Sequence, residues 1–142
     1  MYYLVYTSAA VDKLAEEDLS FLLRQYLGKT KFYNITGLLL YIDGNFFQVL
    51  EGEKEDVLNF FFTIEKDSRH DKIITLMKGE LEARNFKNWK MGFKASENKA
   101  YPNFVNLNNN GLVFVDNSKQ NHPAALLINY FYSRLNHYSF LL

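Results

Sequence analysis

One glutamine in this chain stands where the surrounding pattern asks for an apolar side chain, and it is the residue best placed to do chemistry. In Phe46-Phe47-Gln48-Val49-Leu50-Glu51-Gly52, strand alternation sets Gln48 on the same face as Phe46 and Leu50. A buried carboxamide carries two N–H donors and two acceptor lone pairs, and leaving them unmet costs roughly 1–3 kcal/mol. The first strand offers a partner. In Tyr2-Tyr3-Leu4-Val5-Tyr6, Tyr6 is an inward polar residue whose phenol can satisfy the amide. Such a pair is either an ordinary core contact or the polar part of a pocket. Nothing else in the chain suggests an enzyme. His70, His122 and His137 are far apart along the sequence, no carboxylate pair is spaced for acid–base work, and no Ser/His/Asp or metal-ligand set stands out. Cysteine is absent, which removes disulfide and thiol chemistry and fits a reducing compartment.

The elements that must position this pair follow from periodicity. Residues 2–8 alternate as a strand. Glu16, Glu17 and Asp18 supply negative charge for a helix start, and Leu19, Leu22, Leu23, Tyr26 and Leu27 follow at helical spacing, with Gly28 placed to end the helix. Residues 35–42 form a near-continuous apolar strand, and Asp43-Gly44 is a hairpin signal leading into a strand at 45–51. Val57, Phe60, Phe61 and Ile64 mark a second helix over 53–67, followed by strands over 72–81 and 89–95. The order β-α-β-β-α-β-β predicts an α+β, ferredoxin-like sheet with one extra strand and two helices on one face. In that arrangement the third strand lies beside the first, so Tyr6 and Gln48 fall on adjacent central strands, both facing the helices. On the last strand Trp89, Met91 and Phe93 share one face, and Lys90 and Lys94 the other. After Pro123, Leu126, Leu127, Tyr130, Phe131 and Leu135 predict a tail helix. It would cover the opposite face of the sheet or serve as an oligomer interface.

At 142 residues the chain can bury roughly 68% of its unfolded surface around a single core. We divide it into a domain over 1–95 and a C-terminal helical extension over 96–142. The 16 basic and 16 acidic residues balance, and no basic run argues for nucleic acid as a direct partner. No apolar run approaches the ~20 residues of a membrane span, and the N-terminus opens on a strand instead of a signal-peptide layout, so a soluble cytoplasmic protein is expected. The 13 Phe, 10 Tyr and one Trp suit a heavily packed core and are compatible with a bound aromatic ligand.

Taken together, LVYTS at 4–8, DLSFLL at 18–23, ITGLLLYIDGNFFQVLEG at 35–52, DSRH at 67–70 and FKNWKMGF at 86–93 resemble the BLUF family of blue-light sensors, which use a non-covalent flavin. The resemblance covers residues 1–95 and is to the short class, a sensor domain with a small helical tail and no attached enzyme. It implies that Tyr6 donates an electron and a proton to the excited flavin, and that Gln48 rearranges its hydrogen bonds to the isoalloxazine N5 and C4 carbonyl. It makes Leu22 and Ile64 the apolar walls around the ring, with Phe46 on the same pocket wall. Thr30, Arg69 and His70 become further flavin contacts, and Trp89 and Met91 the strand that relays the signal to an unidentified partner protein. Arg69 and His70, expected at the end of the second helix, would also sit favourably against its dipole. The usual flavin is FAD, with FMN open, and a homo-oligomer is expected.

Four positions depart from the family pattern. Thr30 replaces an asparagine that anchors the flavin C4 carbonyl, and losing one neutral hydrogen bond costs on the order of 1 kcal/mol, or five- to tenfold in affinity. Tyr26 and Lys90 stand where small hydroxyl residues are common, and Asn34 where glycine is. Tyr26 could fill space near the pocket or offer a second redox-active phenol. Because most departures fall at 26–34, on one wall of the pocket, the competing reading is a pigment-free BLUF-like protein–protein interaction module.

Overall fold

The computed structural model describes residues 1–86, 92–95, 105–106 and 122–131. Its elements run β1 (Tyr2–Ala10), α1 (Glu16–Phe32), β2 (Thr36–Ile42), β3 (Asn45–Gly52), α2 (Lys54–Glu65), β4 (His70–Glu80), β5 (Gly92–Ala95) and β6 (Val105–Asn106). The sheet order is β4-β1-β3-β2-β5-β6. The central four strands are antiparallel to their neighbours, while β5 and β6 add in parallel beyond β2. This is the α+β, ferredoxin-like arrangement that the element order predicts, with the third strand beside the first. The two-residue β6 was not expected.

The β2–β3 hairpin turns at Asp43 and Gly44, whose φ angles of 50° and 79° are both positive, as a tight primed turn requires. A second close approach lies inside the hairpin. A Cβ built on Gly37 would lie 1.8 Å from the Val49 carbonyl oxygen, so only glycine lets β2 and β3 meet there.

Alternation divides the buried side chains into two layers. Tyr2, Leu4, Tyr6, Leu39, Tyr41, Phe46 and Leu50 face α1 and α2, where they pack on Leu19, Leu22, Leu23, Tyr26, Val57, Phe60 and Ile64. Tyr3, Val5, Leu38, Leu40, Phe47 and Val49 face the other way. Against this second layer pack Phe86, Ala124 and Ile128, with Leu127 and Phe131 partly buried beside them. Phe131 stacks on Phe47 with centroids 4.4 Å apart and planes at 21°.

Three details differ from the periodic reading. Helix α1 runs through Gly28 to Phe32 and stops at Asn34, whose φ of 52° places it in the left-handed region that ends many helices. Continuing past Gly28 buries Thr30 completely, and tertiary contact outweighs the modest helix penalty of glycine. Helix α2 ends at Glu65, so Arg69 lies in the following turn and His70 opens β4. In the tail, 125–131 is helical, but the stripe facing the sheet is Ala124, Leu127, Ile128 and Phe131, while Leu126 and Tyr130 are exposed. Leu135 lies outside the described residues.

Candidate functional site

The site grows from strand register. Tyr6 on β1 pairs directly with Gln48 on β3, so both side chains rise from neighbouring backbone positions toward the helices. The Tyr6 hydroxyl donates to Gln48 Oε1 in a short hydrogen bond between two buried residues. The register between β1 and β4 shifts on either side of Tyr6, between Val5 and Tyr6 and again between Thr7 and Ala9. Such bulges re-aim side chains beside functional sites.

Burial pushes the Tyr6 phenol well above its ordinary pKa, with further upward contributions from Tyr26 and the Asp67 carboxylate. Its hydroxyl therefore holds its proton at neutral pH. Tyr26, on α1, is itself buried and near enough to Tyr6 for each phenol to act on the other. Its phenol is also raised, mainly by burial and next by Asp67. On the α2 side, the Phe61 ring lies 5.3 Å from Tyr6, and Phe60 meets Tyr26 edge-on at 6.1 Å.

The apolar residues expected around the pair are brought to the same layer. Leu22 from α1, Ile64 from α2 and Phe46 from β3 are all buried in the helix-facing core with Tyr6. His70 is buried beside them, its ring edge-on to Phe46 at 6.4 Å. His70 Nε2 donates to the Ile64 carbonyl at 2.6 Å, and Nδ1 lies 2.8 Å from Ser8 Oγ. A carbonyl can only accept, so Nε2 carries a proton, and in the neutral ring Nδ1 accepts from Ser8. His70 thus ties the end of α2 to β1.

Arg69 stands at the rim. Its guanidinium holds Asp67 in a fork, with Nε–Oδ1 at 2.9 Å and an Nη2–Oδ2 contact at 2.5 Å, and reaches Gln25 on α1 at 2.7 Å. Hydrogen bonding to Arg69 holds the Asp67 carboxyl below its ordinary range. Thr30 is fully buried, and its hydroxyl donates to the Leu27 carbonyl at 3.0 Å. The single proton of that hydroxyl is therefore committed within α1, and a bond to a ligand requires a different rotamer. Trp89, Lys90 and Met91 lie outside the described residues.

The donor set suits a planar heteroaromatic ring. Leu22, Ile64 and Phe46 offer apolar surface, while a buried phenol and a buried carboxamide supply the polar edge of an otherwise apolar layer. Among the described residues no cluster of His, Cys, Asp or Glu could hold a metal ion, and no helix is long and apolar enough to cross a membrane.

Residues 1–92 match the sequence profile of the family described as BLUF, sensors of blue-light using FAD. The chain belongs to the BLUF family. BLUF domains bind flavin, sense blue light with it, and signal to effector domains or partner proteins. One relative, the photoactivated adenylate cyclase subunit beta of Euglena longa, is 34% identical over 83 residues, which are 58% of this chain and 10% of that protein. The chain thus spans about a tenth of the curated relatives it matches. Among solved structures, BlrB, a BLUF protein in its dark state, superposes with a TM-score of 0.64 at 27% identity, covering 67% of this chain and 72% of that one. The ground state of BlsA superposes with a TM-score of 0.65 at 29% identity, covering 94% of this chain and 86% of that one. The BLUF match is to a sensor and not to a catalytic domain.

Alternation and helical spacing overlooked some neighbours of the site. Asp67 acts on both phenols through the turn after α2, a placement no local pattern encodes. Glu51 is fully buried, and the argument that singles out Gln48 would also find it, as a charged residue on the apolar face of Phe47 and Val49.

Proposed function

We propose that this BLUF protein is a blue-light receptor in which Tyr6 and Gln48 form the photochemical switch. The observation that carries the reading is the Tyr6–Gln48 hydrogen bond, buried and aimed into the helix-facing layer. Leu22, Ile64 and Phe46 would hold the ring of the flavin, with Gln48 and Tyr6 at its polar edge and His70 and Arg69 toward its rim. FAD is the flavin that the family description favours. When bound, the flavin supplies visible-light absorption and an oxidising excited state.

The chain's own residues supply the rest. Tyr6 is a phenol that keeps its proton in the dark, and giving an electron to the excited flavin would make that proton strongly acidic, so it would leave with the electron or just after it. Oε1 of Gln48 is already aligned to receive the proton. Return of electron and proton restores Tyr6 chemically but leaves the Gln48 amide free to settle in a new set of hydrogen bonds. Gln48 is on a central strand, paired to β1 through Tyr6 and to β2 through Leu39, and β5 pairs with that same Leu39. A change at the amide therefore reaches β5, which follows Trp89 and Met91, in two strand steps. We place the output in the contact of that edge and the tail with a partner protein or a second copy of the chain.

A single set of spectra tests this. The purified protein is expected to show a flavin band that moves slightly to the red after blue light and relaxes in the dark. Gln48→Leu should keep the flavin and lose the shift. An intact shift in that variant refutes the role of Gln48. The commitment of the Thr30 hydroxyl to Leu27 is the observation that favours the pigment-free alternative, and a protein that stays colourless after flavin is added would establish it.

A further inference from the structure

On the opposite side of the sheet from Gln48, one carboxylate joins three segments that are distant in sequence. Glu51 is the penultimate residue of β3, three residues after Gln48, with its side chain fully buried. Its Oε2 accepts the backbone N–H groups of Asn85 at 2.8 Å and Phe86 at 3.0 Å. Its Oε1 lies 3.2 Å from Nε2 of His122, which is equally buried. His122 Nδ1 in turn accepts the backbone N–H of Ala124 at 3.0 Å, at the start of the helical tail. The His122 ring is seated edge-on against Tyr3 at 5.0 Å and Phe86 at 6.2 Å. The backbone carbonyl of Glu51 takes a further bond from Arg84 Nη1 at 3.0 Å, and Arg84 also reaches Thr36 and Asn34.

Because His122 Nδ1 accepts from Ala124, Nε2 carries a ring proton, and Nε2 is the atom that lies beside Glu51 Oε1. One carboxylate oxygen thus receives two backbone donors, while the other lies within ion-pair distance of the His122 ring. Burying this charge only to cover an apolar face would be a poor solution, since an apolar residue covers such a face without desolvating an ion. A carboxylate here instead makes seating of the tail depend on the position of β3.

We propose that Glu51 is a latch that holds residues 122–131 and the 84–86 turn on the sheet, and that rearrangement of Gln48 on the same strand loosens it. The second half rests on the photochemical reading above; the first half does not. Residues 85 and 86 precede Trp89 by four and three positions, so the same carboxylate anchors the chain just before Trp89 and Met91. Gln48 and Glu51 are about 10 Å apart along an extended strand and point to opposite faces. A small shift or twist of β3 at one is therefore felt at the other.

The test is hydrogen–deuterium exchange on the full chain, followed by peptide for wild type, Glu51→Gln and His122→Asn. A carboxamide at 51 removes the charge beside His122 and keeps only one oxygen, so either its N–H turns to His122 or it meets the 85–86 amides. Asparagine at 122 can still accept from the Ala124 N–H, as helix caps do, but is too short to meet Glu51. In the dark, both variants are expected to exchange about tenfold faster or more over 122–131 while α1 and α2 keep wild-type protection. Unchanged exchange over 122–131 in both variants overturns the latch, whatever the photochemistry. Under blue light, wild type should gain exchange over 122–131, and Glu51→Gln should lose that light-dependent difference while keeping its spectral shift. A spectral shift in wild type without any change over 122–131 overturns the link to Gln48. Absence of the spectral shift in wild type instead refutes the photochemical reading and leaves the dark-state result to decide the latch.

Discussion

Replacing both members of the Tyr6–Gln48 pair should cost far less than the two single changes added together. Both residues are buried, and the phenol donates to the amide oxygen. Tyr6→Phe keeps the ring and removes the donor, while Gln48→Leu keeps the volume and removes the acceptor. Each single change strands a buried polar group and should destabilise by roughly 1–3 kcal/mol. In the double variant neither group remains, so its cost should approach that of one single change, giving a coupling of about 1–2 kcal/mol. Equilibrium urea unfolding of the four proteins measures this, with flavin content matched, because a ligand bound only by the native state adds to apparent stability. Thermal unfolding should report the same order, at roughly 3–5 °C per kcal/mol for a chain of this size. Single costs that simply add, with coupling below about 0.3 kcal/mol, would refute the contact and the switch built on it.

Three further outcomes are expected. Thr30→Asn restores an amide with two donors, and flavin titration should show about five- to tenfold tighter binding; weaker binding would mean that the closed packing around Thr30 leaves the larger side chain no room. Gly37→Ala drives a Cβ into the Val49 carbonyl and should cost on the order of 2–4 kcal/mol in urea unfolding, whereas wild-type stability would refute the pairing of Gly37 with Leu50. Asp67→Asn tests the acid side. Asp67 is held below the ordinary carboxylate value of 3.8 chiefly by its hydrogen bond from Arg69, so its contribution is complete above that value and is lost as pH falls through the lowered one. Because Arg69 is partly exposed, wild type should exceed the variant by about 0.5–1 kcal/mol at neutral pH, and the two should converge in acid. A difference that persists at low pH would assign the effect to packing.

The chain's local codes carry much of its architecture. Period-two alternation was enough to put Gln48, Phe46 and Leu50 on one face of β3, and Asp43-Gly44 marked the turn that sets the β2–β3 register. Helical spacing located α1 and α2 and their buried stripes, and the five quoted motifs pointed to the BLUF family. These readings succeed because strand parity, turn backbone angles and helix faces are set by residues within a few positions of one another. Other features depend on what a side chain meets across the fold. Gly28 looked like a helix end, yet burial of Thr30 one turn further on carries α1 to an asparagine that can adopt the left-handed backbone. The tail's inward stripe lay one position away from the one the leucines suggested, because its facing surface is provided by β3 and its neighbours. The sequence offers Thr30 as a ligand contact, and the closed end of α1 adds that its hydroxyl donates to Leu27. Glu51, His122 and the 85–86 amides share no local spacing at all, and they meet because β3, the turn after β4 and the tail converge on one buried point. Local spacing was thus enough to say which residues of β1 to β3, α1 and α2 lie inward. Their partners follow from the fold, since a buried donor or acceptor must be met by whichever group is brought within about 3 Å of it.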